Sequence, residues 1–303
     1  LTKTIRIGTR DSELALWQAN TVKDHLENLG YSTKLIPVKS TGDLVLDVPL
    51  YELGITGIFT KTLDVAMLNN DIDIAVHSMK DVPTALPKGI VEAAVLERAN
   101  VLDIMVHKGT DFLKTSGTIA TGSLRRKAQW LHKYPSHHVV DLRGNVNTRM
   151  KKLSDSEWNG AIFAAAGLER IHLKPENFID LDWMIPAPAQ GAMLVVAKDE
   201  DTYCRKALSN LNHIPSKTCV HIEREFLRTL EGGCTAPIGA LAQIKKDTLY
   251  FTGALFSLNG KKKIEVNREI AIEDSQGFGE ICAKEILNNG GRQLMKEIKE
   301  QIG

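Results

Sequence analysis

The chain has 303 residues, 43% hydrophobic and 25% charged, enough to bury an ample core without disulfide or metal staples. With 38 Lys+Arg against 37 Asp+Glu the formal net charge is +1, and no basic run is longer than Lys261-Lys262-Lys263, which argues against a duplex-binding protein. No apolar stretch approaches the length of a membrane span, and Leu1 to Ile5 leads into a strand without the apolar core of a signal peptide, so a cytoplasmic protein is expected.

In chain order, Thr4 to Gly8 reads as a strand, and Ser12 as the N-cap of a helix on which Leu14, Trp17, Val22, Leu26 and Leu29 recur until Gly30. Lys34 to Val38 is a second strand. Ser40 to Thr56 has no period and reads as a functional loop or lid. Phe59, Leu63 and Met67 mark a short helix before the apolar strand Ile72 to Val76. A second series of strands covers Leu102–Val106, Thr118–Thr121, Val139–Leu142 and Ala161–Ala164, with helices starting near Ser123, Asn145 and Ala166. Met193 to Val196 is a further strand that could return the chain to the first sheet. This alternation predicts α/β architecture. The last third changes character: a helix from Ser216 to Leu230, alternating strands over Ile238 to Ile272 with a turn at Asn259-Gly260, then helices near Phe278–Leu287 and Leu294–Ile302. That pattern predicts an α+β unit with an antiparallel sheet.

Anion chemistry is written at strand-to-helix junctions. In Thr121-Gly122-Ser123-Leu124-Arg125-Arg126 a strand ends, glycine permits a tight turn, and hydroxyl residues open a helix whose free N–H groups favour an anion. The adjacent guanidiniums suit carboxylate or phosphate. One unit later the arrangement recurs as Arg143-Gly144-Asn145-Val146-Asn147-Thr148-Arg149, and ligands of open α/β sheets gather at the carboxyl ends of strands. Arg10 and Ser12 offer a second cationic wall, so the expected ligand carries several negative charges. His77-Ser78-Met79-Lys80-Asp81-Val82-Pro83 places an imidazole, a hydroxyl, an ammonium and a carboxylate at one strand end, as proton transfer requires, or as a polar loop closed by Pro83 would also show. Cys204, Cys219, Cys234 and Cys282 form no C-x-x-C pair and read as reduced thiols; Cys234, beside Gly232-Gly233, is either a reactive thiol or a packing residue. No metal-ligand set is expected.

Together these segments resemble the porphobilinogen deaminase (hydroxymethylbilane synthase) family. The resemblance runs in family order through Ile7 to Ser12 with Leu14 to Gln18, Asp73 to Pro83, Thr121 to Arg126, Leu142 to Arg149, Ala166 to Arg170, Pro188 to Ala192 and Leu230 to Cys234. It implies two α/β lobes like those of periplasmic binding proteins plus a small C-terminal α+β domain. The expected boundaries are 1–97 with 193–212 for domain 1, 98–192 for domain 2 and 213–303 for domain 3. The family joins four porphobilinogen molecules head to tail, releases ammonia and yields linear hydroxymethylbilane, a step of haem biosynthesis. It builds on a dipyrromethane cofactor held by a thioether to the cysteine matching Cys234. The resemblance assigns catalysis to Asp81. It assigns substrate and cofactor binding to Arg10, Ser12, Ser78, Lys80, Thr121, Ser123, Arg125, Arg126, Arg143, Arg149, Arg170 and Gln190. The implied partners are porphobilinogen and the growing oligopyrrole, with no nucleic acid, no membrane, no metal and a monomeric state. The chain departs from the common family pattern at Thr56, at Thr62 and at Ala189, where a glycine is usual.

Overall fold

The computed structural model describes residues 3–39, 60–230 and 236–302, so the Ser40–Thr56 lid expectation and Cys234 lie outside the described residues. The chain divides into two compact units. The first holds the described residues through Ala99 together with Gly191–Lys217, and the second holds Asn100–Gln190 and the described residues from Thr218 onward.

In the first unit β1 (Ile5–Thr9) forms because Ile5 and Ile7 are fully buried on one face of an alternating strand. It leads into α1 (Glu13–Asn28), whose buried residues Ala15, Gln18, Ala19, Val22 and Leu26 recur at helical spacing. Then follow β2 (Thr33–Pro37), α2 (Lys61–Leu68), β3 (Ile74–Ser78) and β4 (Ile90–Val95). The first sheet also takes in a later strand, β10 (Met193–Lys198), and its order is β2-β1-β3-β10-β4. β1 runs parallel to β2 and β3, whereas β10 is antiparallel to both β3 and β4. Ile7, Val76 and Val195 pack against Ala19, Val22 and Leu26 of α1 and against Cys204 and Leu208 of the helix Thr202–Ser209.

The second unit repeats this plan. Its strands β5 (Asp103–His107), β6 (Thr118–Ala120), β7 (His138–Val140), β8 (Gly160–Ala164) and β9 (Phe178–Asp180) lie in the order β7-β6-β8-β5-β9. Again the first strand of the parallel set is flanked by the second and third, and an antiparallel strand, here β5, separates the third from the far edge. Helices α3 (Leu124–Lys133), α4 (Val146–Asp155) and α5 (Ala165–Arg170) follow β6, β7 and β8. Both faces are covered: Ile104, Ala120 and Leu168 belong to one apolar cluster, and Met105, Ile119 and Trp130 to the other.

Counting Thr202–Ser209 as α6, the next helix is α7 (Ile214–Thr229), followed by an antiparallel meander of β11 (Ile238–Lys245), β12 (Thr248–Phe256) and β13 (Lys263–Ala271). Two helices, α8 (Phe278–Ile286) and α9 (Arg292–Ile302), complete the chain. Phe226 of α7 and Phe251 of β12 meet edge to face at 5.1 Å in the core of this layer. The expected α/β architecture with a small C-terminal α+β part is what is observed, and β10 does return the chain to the first sheet. Strands β4 and β9 and helix α6 had no counterpart among the expected elements.

Candidate functional site

At the carboxyl end of β1, Thr9 is buried and its hydroxyl donates to the Ala15 carbonyl (3.0 Å). That bond turns the chain so that Ser12 caps α1, its Oγ accepting from the Ala15 N–H (3.4 Å). Arg10 and Ser12, both half-buried, therefore stand beside the end of the neighbouring parallel strand β3. There Gln18 of α1 donates its Nε2 to Ser78 Oγ (2.9 Å). Met79–Asp81 then form a single 3-10 turn, tied to the start of β10 by Met79 N–H to Ala192 O (3.0 Å). Lys80 and Asp81 are half-buried on that turn. The structure thus gathers Arg10, Ser12, Ser78, Lys80 and Asp81 at the ends of two adjacent strands. His77 lies beneath them, buried, with no hydrogen bond to its Nε2; burial, with Arg10 adding to it, pushes its pKa down to about 4.

The second unit carries the other group. Thr121 follows β6, and its Oγ1 accepts from the Ser123 N–H (3.3 Å). Ser123 caps α3 through the Arg126 N–H (3.4 Å). Gly122 is required here, since a Cβ would come within 2.6 Å of the Leu142 carbonyl. After β7, Arg143 is buried and Gly144 takes φ +112°. Asn145 caps α4 by accepting from the Thr148 N–H (2.9 Å), and Arg149 donates Nε to Gly144 O (2.7 Å). Arg170 closes α5, and burial, offset in part by Glu169, brings its pKa down to about 10. Arg143 is lowered in the same way, with Asp141 too weak a compensation.

Arg125 and Arg126 already hold a carboxylate of the chain itself. Both are buried and turned onto Asp103, the first residue of β5. Arg125 Nη1 and Nη2 reach the two Asp103 oxygens at 2.6 and 3.2 Å, and Arg126 Nε reaches Oδ1 at 2.8 Å. Burial pushes the Asp103 carboxyl up, but the two guanidiniums together hold it well below the usual carboxylate range. Gln190 Nε2 joins the same carboxylate at 3.0 Å and also donates to Val101 O (2.8 Å).

Asp103, which the arginine pair grips, and Glu223, which accepts from the Ala189 N–H (2.7 Å), were not among the expected site residues. Each had a signal: Asp103 is an acid heading the apolar run Ile104-Met105-Val106, and Glu223 interrupts the apolar face marked by Cys219, Ile222, Phe226 and Leu230. The thiols of Cys204, Cys219 and Cys282 are buried, and burial raises Cys204 and Cys282 to about 12, as befits packing residues. Among the described residues no group of three His, Cys, Asp or Glu is arranged to hold a metal ion, and no helix is long and apolar enough to cross a membrane.

The fit of this chemistry to a polycarboxylate can be tested on the buried cations. Arg143 and Arg170 are pushed down by burial because the acids beside them compensate too little, and Arg125 Nε is buried without a hydrogen bond. Burial disfavours the charge on such groups, and a ligand of several negative charges is of the class that would offset it.

Comparison with known proteins gives a single answer. Residues 5–206 match the family model described as "Porphobilinogen deaminase, dipyromethane cofactor binding domain", and residues 217–288 match "Porphobilinogen deaminase, C-terminal domain". A porphobilinogen deaminase of Chloroherpeton thalassium is 39% identical over 310 residues, covering 98% of this chain and 98% of its own. One from Geotalea uraniireducens is 39% identical over 305 residues, covering 99% and 96%. Among solved structures, the methionine-binding protein MetQ covers 69% of this chain and 89% of its own at 13% identity and a TM-score of 0.45, a likeness too slight to bear on function. Two family models matched in order and relatives alike along nearly the whole length leave one conclusion: this chain belongs to the porphobilinogen deaminase family.

Proposed function

We propose a division of labour among the residues described above for the reaction of this family. That reaction is the condensation of four porphobilinogen molecules into linear hydroxymethylbilane with release of ammonia, and the chain is a transferase of tetrapyrrole biosynthesis. The observation that carries the reading is the match of residues 5–206 to the cofactor-binding domain, which holds every described residue proposed here for the site. The dipyrromethane group, attached at Cys234, supplies the pyrrole end on which new units are added.

Each porphobilinogen unit brings an acetate and a propionate, so a lengthening chain needs more cations as it grows. Arg10, Arg143, Arg149 and Arg170 bind these carboxylates, with Arg125 and Arg126 contributing the charge that Asp103 does not neutralise. The hydroxyls of Ser12, Ser78, Thr121 and Ser123, the Lys80 ammonium and the Gln190 amide orient the carboxylates. Asp81 sits on a one-turn helix anchored to β10, a rigid mount for a group that holds or moves a proton at a pyrrole nitrogen and stabilises the cation formed there. We further assign the division into domains at 1–97 with 193–212, 98–192 and 213–303, a monomeric state, and a cytoplasmic location without nucleic-acid or membrane partners, in keeping with the formal net charge of +1.

The test is the intact mass of the purified active protein. The expected result is an excess equal to two condensed porphobilinogen units, localised to the peptide that contains Cys234 and absent after Cys234→Ser. Bare polypeptide mass in active protein overturns the attachment.

A further inference from the structure

The segment from Ile185 to Gln190 is held from several sides. The Ile185 carbonyl accepts from Arg125 Nη1 (2.8 Å) and Gln129 Nε2 (2.9 Å), while its N–H donates to Gln129 Oε1 (2.8 Å). The Pro186 carbonyl accepts from the Ala240 N–H of β11 (3.0 Å). Ala189 is fully buried at φ +62°, a left-handed conformation that strains a residue with a Cβ. Glu223 of α7 holds that turn directly: it accepts from the Ala189 N–H through Oε2 (2.7 Å) and from the Ala242 N–H through Oε1 (2.7 Å). The left-handed turn at Ala189 directs the next side chain, Gln190, onto Asp103, and Asp103 grips Arg125 and Arg126.

We propose that Glu223 and Asp103 are positioning residues for the arginine pair: Glu223 holds Ala189 and Gln190 in place, and Asp103, braced by Gln190, sets where the two guanidiniums stand. The inference rests on the reading above that these arginines bind substrate carboxylates. It links α7, the helix before Cys234 in sequence, to the cations at the end of β6 through hydrogen bonds joined by the Ala189–Gln190 peptide unit. It also accounts for two buried carboxylates that the reaction itself does not use. Glu223 and Asp103 share no direct contact in this series, so a coupling between them has to pass through Ala189 and Gln190.

Coupling of this kind is measured with a double-mutant cycle. Glu223→Gln keeps the shape but offers one acceptor to two N–H donors, and Asp103→Asn removes the charge between the guanidiniums. The holoenzymes of the unaltered protein, both single variants and the double variant are assayed for kcat and KM with porphobilinogen, and for Tm. Each single variant is expected to raise KM by about fivefold or more, and the double variant to fall short of the product of the two by about threefold. KM within about twofold of the unaltered value in both single variants, whatever their Tm, overturns the inference, as does a fully multiplicative double variant. Should the carboxylate variants fail to fold, Gln190→Met keeps both charges and the volume; an unmoved KM there overturns it equally. Absence of turnover in the unaltered holoenzyme overturns the functional reading and this inference with it, whereas normal turnover with unmoved KM overturns the inference alone.

Discussion

Acidification is expected to weaken the fold through one identifiable group. His77 is 6% exposed in β3, and burial together with Arg10 brings its pKa from 6.5 to about 4. The unfolded chain binds this proton near pH 6.5, but the folded chain refuses it until about pH 4. The stabilising contribution is therefore complete above about pH 6.5 and is lost progressively as the pH falls. Each pH unit crossed inside that window costs up to about 1.4 kcal/mol, which gives about 2 kcal/mol at pH 5 and about 3 kcal/mol below pH 4. The measurement is equilibrium urea unfolding of the unaltered protein and of His77→Gln at about pH 7 and pH 5. The substitution has its own fixed cost, so only the change with pH counts. The unaltered protein is expected to lose about 2 kcal/mol more than the variant between the two pH values. Parallel losses in the two proteins refute the assignment.

Asp64 titrates with the opposite sign. Burial raises it to about 6 despite a hydrogen bond with Thr60, so ionising it costs stability as the pH rises through the interval from 3.8 to about 6. Asp64→Asn is expected to stabilise the fold by about 3 kcal/mol at pH 7 and to have no such effect below about pH 4; an equal effect at both would place its origin elsewhere. Gly122→Ala drives a Cβ against the Leu142 carbonyl and should cost about 2 kcal/mol, read as a lower Tm; an unchanged Tm means the turn relaxes freely. Asp81→Asn should cut ammonia release about a hundredfold or more while intact mass still shows the assembled cofactor, and near-normal release removes Asp81 from proton transfer.

Much of the fold was legible because its strands are apolar and punctuated. Ile74–Ser78, Gly160–Ala164 and Met193–Lys198 lie within a few residues of the expected positions, and the caps at Ser12, Ser123 and Asn145 were each readable from a short polar side chain opening an apolar-periodic run. β4 has no clear period because it follows a stretch rich in proline and glycine and is only partly buried, with Val91, Glu92 and Ala93 half-buried between Ile90 and Ala94. β9 is three residues long, too short for any period. The departure at Ala189 was visible as a missing glycine, but only the backbone angle gives it meaning: φ +62° is the conformation glycine tolerates freely.

The Asp103 partner of Arg125 and Arg126 has a single topological origin. In a parallel sheet the carboxyl ends of the strands are where ligand-binding groups gather. In each sheet here one strand runs the other way, so its amino end lies among its neighbours' carboxyl ends: Met193 pairs with Ser78, and Asp103 with Ala164. An acid at the start of a strand thereby arrives at the same sheet edge as the strand-to-helix junctions. The choice of an acid follows from charge. Two guanidiniums that are 5% and 6% exposed cannot both stay buried without an anion when no ligand is present. One carboxylate against two guanidiniums leaves these three groups with a net charge of about +1. Arg143 and Arg170 receive weaker compensation, from Asp141 and Glu169, and burial lowers both. The fold thus grades its cations: one pair is braced by a carboxylate from within, and in two others burial outweighs the neighbouring acid.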